Sequence, residues 1–204
     1  MAVLNQFEQG LNRYLPTDIL AKIAEIKIGI AGAGGLGSNC AQMLVRTGFR
    51  NFKIIDFDIL DASNLNRQFY FMHQVGRSKV EALKDNLLLI NPDINIEIIQ
   101  GKFESDMAAG FFADCDAVVE AFDRPEYKKL IVETYINSGK LLVAASGLAG
   151  WGNSDDIVIR QIKENFYLVG DLTSAIGPDC PPLAPRVHIA AAKQADIILN
   201  YFLT

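Results

Sequence analysis

The amino-acid sequence predicts an α/β architecture: a doubly wound, mostly parallel sheet with helices on both faces, an antiparallel extension and a C-terminal helix. Three observations carry this. Short apolar runs alternate with segments whose apolar residues recur at helical spacing. The first run leads straight into the glycine-rich turn Gly32-Ala-Gly-Gly-Leu-Gly37, a junction that turns a strand into a helix. Near the end the rhythm breaks, and two apolar runs separated only by a polar turn replace it.

Each element has its own signal. Over residues 12–24, Leu15, Ile19, Leu20 and Ile23 fall at helical spacing and predict an amphipathic helix. Ile26–Ala31 reads as a buried parallel strand. The helix after the glycine turn runs from Gly35 to Thr47 and is stopped by Gly48. Phe52–Ile55 forms the next strand and ends in Asp56-Phe57-Asp58. After a polar loop, Ser78–Ile90 is a helix closed by Asn91-Pro92. Ile94–Ile99 alternates apolar and polar residues, as a strand with one more exposed face does. Ser105 is placed to cap a short helix to Phe112. Cys115–Val119, Pro125–Ser138 and Leu141–Ala145 continue as strand, helix and strand. Ile157–Gln161 and Phe166–Val169 form the antiparallel hairpin, and a loop with four prolines leads to a long helix from Arg186 to Phe202. Without a linker, repeat or low-complexity segment, residues 1–204 read as one domain. It comprises a helix at 12–24, a nucleotide-binding part at 26–150, and a hairpin, loop and helix over 151–204.

Composition narrows the function. Half of the 204 residues are apolar and 21% are charged, which supports one well-buried core. The net charge of −5 argues against a nucleic-acid partner, which would favour a basic face. Cys40, Cys115 and Cys180 are odd in number, lie far apart and form no Cys-x-x-Cys pair, so no disulfide framework and no zinc site is expected. Cys40 and Cys115 read as core. Cys180, between Asp179 and two prolines, reads as an exposed spare thiol with no basic neighbour to lower its pKa. His73 and His188 belong to no metal-ligand cluster and read as structural, and Trp151 reads as a packing residue. The N-terminus shows no basic region followed by an apolar run, and no apolar stretch approaches membrane-spanning length. Cytoplasm is the expected location, with no membrane partner.

The candidate chemistry clusters early in the chain. Gly32, Gly34 and Gly37, with Gly35 opening the helix, let backbone approach a phosphate at a helix N-terminus. Asp56 ends the second strand 19 positions after Gly37, where an acid meets a ribose hydroxyl in dinucleotide folds. Asp58 and Asp61 read as solvated loop carboxylates. The segment Ser63-Asn64-Leu65-Asn66-Arg67-Gln68, with Lys79 downstream, supplies cations and hydrogen-bond donors. Phosphate chemistry needs these, whereas a nicotinamide ring needs an apolar slot. An NAD-dependent oxidoreductase therefore leaves Asn64, Arg67 and Lys79 idle. A non-catalytic binding subunit sits poorly with an intact Arg67, Lys79 and Asp123.

The order Gly-x-Gly-Gly-Leu-Gly, Asp56-Phe-Asp, Ser63-Asn-Leu-Asn-Arg-Gln, Gly76-Arg-Ser-Lys-Val-Glu, Asn91-Pro and Glu120-Ala-Phe-Asp resembles the adenylation domain of the ThiF/MoeB family. These are bacterial relatives of ubiquitin-activating enzymes, and the resemblance covers roughly residues 10–200. Val119-Glu-Ala-Phe-Asp, Ala144-Ala-Ser-Gly-Leu-Ala-Gly, Asn165-Phe-Tyr and Ala184-Pro-Arg-Val resemble the short ThiF form most. The resemblance implies a Rossmann-like fold and an ATP- and Mg²⁺-dependent adenylyltransferase of thiamine biosynthesis. Its substrate would be the C-terminal Gly-Gly carboxylate of a small β-grasp sulfur carrier. A molybdopterin-type carrier or another carboxylate would leave the nucleotide half of the site the same. The resemblance further implies that Arg67 and Lys79 grip the triphosphate, Asn64 orients it and Asp123 holds Mg²⁺. Gly34 offers its backbone and Asp56 contacts the ribose. Ser63 and Gln68 belong to the same nucleotide-binding motif. Arg13 resembles an arginine that reaches the partner's phosphates in a homodimer. The family often carries Asn where this chain has Arg124, and its longer members carry two Cys-x-x-Cys pairs that this chain lacks.

Overall fold

The computed structural model describes residues 4–204. Seven strands make one sheet: β1 (Lys27–Ala31), β2 (Asn51–Asp56), β3 (Asn95–Gln100), β4 (Ala117–Glu120), β5 (Leu141–Ala145), β6 (Val158–Lys163) and β7 (Phe166–Gly170). Their order is β3-β2-β1-β4-β5-β7-β6, parallel throughout except for the β6–β7 pair. The expected doubly wound sheet with an antiparallel extension is therefore present. Among the described residues seven α-helices accompany it: α1 (Gln6–Leu11), α2 (Thr17–Glu25), α3 (Gly35–Thr47), α4 (Lys79–Leu88), α5 (Ser105–Phe111), α6 (Pro125–Tyr135) and α7 (Ala184–Leu203).

Two apolar layers follow from the period-two alternation of buried strands. Ile28, Ile30, Ala117, Val119, Leu141 and Val143 belong to the layer under α3, α4 and α7. Ala31, Val118, Leu142 and Ala144 belong to the opposite layer, with Phe103, Phe111, Phe112 and Tyr135 of the α5–α6 side. A Cβ at Gly29 would come within 2.4 Å of the Phe112 ring, so the bare backbone there lets the aromatic layer close on the sheet.

The expected helix over 12–24 is corrected at its start: it begins only at Thr17, as α2, and a separate helix, α1, precedes the span. Asn5 and Glu8 form a capping box that starts α1 early, the Glu8 amide lying 3.0 Å from Asn5 Oδ1. Pro16 then takes the N-cap of α2, because its ring blocks a continuous helix. At the other short helix, Glu104 rather than Ser105 occupies the N-cap, and its side chain makes no cap bond.

The start of α7 is fixed by a buried ion pair. Arg186, 5% exposed, reaches the carboxylate of Asp171 and donates 2.9 Å bonds to the carbonyls of Gly152 and Asn153. Burial opposes the Asp171 charge. The amides of Ser174 and Thr173, both 2.7 Å from Oδ1, nonetheless hold its pKa down at about 2. A depressed carboxylate adds stability that is complete above its ordinary value of 3.8 and drains away as pH falls through about 2. In urea titrations, the midpoint of the unaltered protein is therefore expected to drop more steeply across that window than that of Asp171→Asn. An equal slope would refute the assignment.

Candidate functional site

The carboxyl ends of β1, β2, β4 and β5 converge on a cavity of about 610 Å³ at the point where the chain winds away in both directions. Gly32, Gly34, Gly35, Asp56, Asn64, Arg67, Gln68, Lys79 and Asp123 all line it. Ser63 and Gly37 do not. Ser63 is exposed, and its carbonyl lies 3.4 Å from Arg67 Nη1. A Cβ on Gly37 would stand 1.8 Å from the Gly32 carbonyl oxygen, so this glycine serves the packing of α3 on its own turn. Arg13 is exposed in the turn between α1 and α2, outside the cavity.

The glycines divide by role. Gly32 has φ +105°, and a Cβ there would lie 2.8 Å from the Ala121 carbonyl oxygen. At Gly34, the N-cap of α3, an added Cβ would meet nothing nearer than Gln68 Nε2 at 3.9 Å. The fold does not require that glycine, and the space it opens belongs to the cavity. The first amides of α3 point there, with the positive end of the helix dipole behind them.

Asp56, 7% exposed, accepts from the amides of Ala33 at 2.7 Å and Asp58 at 2.8 Å. Burial raises its pKa, with Lys79 and those amides opposing. Asp58 is no free loop carboxylate: its Oδ2 lies 2.6 Å from Lys79 Nζ. Asp61 is exposed but also employed, since it caps the 3-10 turn Ala62–Asn66 through the Ser63 amide at 2.8 Å. Among the described residues Arg67 has no carboxylate partner within ion-pair distance. Its guanidinium bonds Asn66 Oδ1 at 2.7 Å, and burial lowers its pKa while Asp123 raises it. The Asp123 carboxylate has no hydrogen bond or ion pair among the described residues, which makes it the uncommitted acid of the cavity. Lys128 also lines the wall, but its ammonium is consumed by Glu120 at 2.9 and 3.1 Å and the Ala145 carbonyl at 2.9 Å.

Sequence reasoning missed the groups that hold the polar segment still. Ser38 Oγ accepts from the Phe69 amide at 3.0 Å and donates to the Gly34 carbonyl at 2.7 Å. Asn39 Nδ2 bonds the carbonyls of Gly35 at 2.7 Å and Arg67 at 2.8 Å. Gln74 and Asn86 form a buried pair at 2.7 Å, and Asn86 also holds the Phe69 carbonyl. The available signal was two adjacent polar residues on a helix otherwise apolar toward the sheet. Tyr70, buried, donates its hydroxyl to the Ala33 carbonyl at 2.7 Å and so ties the glycine turn to the same segment.

Two further residues depart from their sequence reading. Cys180 is half-buried rather than exposed, because its sulfur packs where a Gly150 Cβ would be, 3.0 Å away. Trp151 is 67% exposed rather than packed. His188 stands on the exposed side of α7, and His73 is exposed, stacking on Phe71. Cys40 and Cys115 are core residues, with burial pushing the Cys115 thiol up to about 12. Among the described residues no helix is long and apolar enough to cross a membrane.

A model of the ThiF family matches residues 8–202. The chain belongs to the ThiF family. It is 30% identical over 205 residues to the tRNA threonylcarbamoyladenosine dehydratase of Haemophilus influenzae, spanning 98% of this chain and 74% of that protein. It is 38% identical over 132 residues to the adenylyltransferase and sulfurtransferase UBA4 of Candida glabrata, spanning 64% and 30%. Thus the chain spans under a third of UBA4, and 22% of the SUMO-activating enzyme subunit 2 of Dictyostelium discoideum, which it also matches. In fold, this ThiF-family chain is similar to E. coli tRNA N6-threonylcarbamoyladenosine dehydratase in complex with ATP. The TM-score is 0.89 at 19% identity, covering 100% of this chain and 97% of that one.

Proposed function

We propose that the chain is an ATP-dependent adenylyltransferase that activates a carboxylate as an acyl-adenylate and releases pyrophosphate. The observation that carries this reading is the pairing, in one cavity, of a phosphate-accessible helix N-terminus at Gly34 with two cations, Arg67 and Lys79. A substrate carboxylate is ionised at neutral pH and needs no general base to attack the α-phosphate. The barrier lies in bringing an anion to a polyanion and in the charge that develops on pyrophosphate. Fixed cations in a half-enclosed site lower both. In this reading Arg67 and Lys79 hold the phosphates, Asn64 and Gln68 orient them, and Asp56 meets the ribose.

Mg²⁺ is tested by the donor set. Asp56 is committed to two amides and Asp58 to Lys79, whereas Asp123 faces the cavity without a partner. One carboxylate completed by phosphate oxygens and water suits this ion, so Asp123 is the residue that would hold it. Bound there, Mg²⁺ would supply charge neutralisation on the phosphates.

For the acceptor we favour the Gly-Gly tail of a small β-grasp sulfur carrier of the thiamine type. The tail would enter beside Ser146–Ala149 and under the Pro182 loop, both of which line the cavity. The name of the SUMO-activating enzyme subunit 2 supports a protein-activating role, and that of the adenylyltransferase and sulfurtransferase UBA4 supports adenylyl transfer. A second reading follows from the dehydratase relative that spans 98% of this chain: threonylcarbamoyladenosine also presents a free carboxylate. The net charge of −5 weighs against tRNA. Homodimerisation with Arg13 acting in trans is part of the same proposal, as is a cytoplasmic location. ATP–pyrophosphate exchange with Mg²⁺ decides between acceptors. Exchange stimulated by a Gly-Gly carrier, and abolished on deleting its tail, is the expected result. Stimulation by modified tRNA alone would select the second reading, and ATP binding with no exchange toward either would defeat both.

A further inference from the structure

Lys79 does not meet the cavity as a free cation. Its side chain is only 7% exposed and is paired at 2.6 Å with Asp58, whose side chain is 41% exposed. Both residues line the cavity, and Asp56 places a second negative charge near the same ammonium. The two halves of the pair are thus unequal. The ammonium is walled in and costly to leave without a partner, whereas the carboxylate keeps much of its access to water.

We propose that Asp58 is a positioning residue that competes with phosphate for Lys79. It holds the ammonium in register before a phosphate arrives, yields it to the phosphate oxygens, and recaptures it as pyrophosphate departs. The solvated carboxylate is the half that can let go cheaply, since water takes over its hydrogen bonds. Lys79 itself is anchored at the first residue of α4, where the amide donates 3.1 Å to the Asp58 carbonyl. Main chain and side chain of residue 58 therefore both contact Lys79. The inference rests on the nucleotide reading of the cavity and deepens it, because it assigns a means of releasing a tightly held polyanionic product.

The sign of the effect is what separates competition from support. Asp58→Asn keeps an acceptor oxygen for Lys79 and removes the competing charge, so polyanions should bind tighter. Titration calorimetry of the full chain with magnesium pyrophosphate is expected to show Asp58→Asn binding about ten-fold tighter, the equivalent of ~1.4 kcal/mol. Product inhibition of exchange should strengthen in parallel, while Asp58→Glu, which retains the charge, stays near the unaltered protein. A merely structural carboxylate would instead lower the melting temperature and weaken binding on removal. Equal or weaker binding by Asp58→Asn overturns the inference while leaving the site reading intact. Failure of the unaltered protein to bind either ATP or pyrophosphate overturns the site reading itself.

Discussion

Arg67→Ala is expected to cut ATP–pyrophosphate exchange by about 10²–10³-fold, the usual cost of losing one fixed donor aimed at developing charge. The melting temperature should barely move. Among the described residues the guanidinium hydrogen-bonds only the Ser63 carbonyl and Asn66 Oδ1, both at the exposed rim, so truncation leaves no buried group there unpaired. The backbone of residue 67 keeps its place independently, because its carbonyl is held by Asn39. Arg67→Lys should recover little, since a point charge cannot reproduce the planar fork. Exchange at the unaltered rate in a folded Arg67→Ala protein would remove this residue, and much of the phosphate argument, from the site.

The second large effect contrasts two glycines of one motif. Gly37→Ala is expected to destabilise the protein by about 3 kcal/mol or more, because its Cβ would overlap the Gly32 carbonyl oxygen at 1.8 Å. For a chain of this size that corresponds to a fall in melting temperature of roughly 10 °C. Gly34→Val should fold normally, since an added Cβ finds no neighbour within 3.9 Å. It should nonetheless lose ATP binding, because the new side chain fills the approach to the first amides of α3. Calorimetric melting and nucleotide titration of both variants test the division. A Gly34→Val protein that binds ATP unchanged would show that the phosphates lie elsewhere.

These residues also show what the sequence could and could not disclose. That Gly32, Gly34 and Asp56 would share one cavity was legible because they sit at fixed spacing on a strand–turn–helix unit and at the end of the neighbouring strand, and local geometry carries that spacing into space. Arg67 and Lys79 stood out only by residue type, and the structure lines the same cavity with them. Strand alternation likewise gave the sheet, because buried parallel strands read as apolar runs whatever surrounds them. The Asp58–Lys79 pair was not legible: 21 residues separate the partners, and only the returning chain brings them together. The same holds for Ser38 and Asn39, whose partners lie 28 to 31 residues onward. The break at Pro16 was visible in the sequence but lost to the apolar periodicity around it. The exposure of Trp151 and the partial burial of Cys180 depend on how the Gly150 and Pro182 backbones meet across a loop, which no local pattern encodes.

The clamps from Ser38 and Asn39 have a kinetic consequence. The connection between β2 and α4 spans 22 residues, a length usually associated with lids that must order around a ligand. Here its middle is bolted to the first turns of α3, so that segment is already frozen when the chain folds. A phosphate ligand meeting this wall would find residues 67 to 69 already held, so less of its binding free energy would go to ordering the segment, and an arrival rate set by encounter and electrostatic attraction is the expected behaviour.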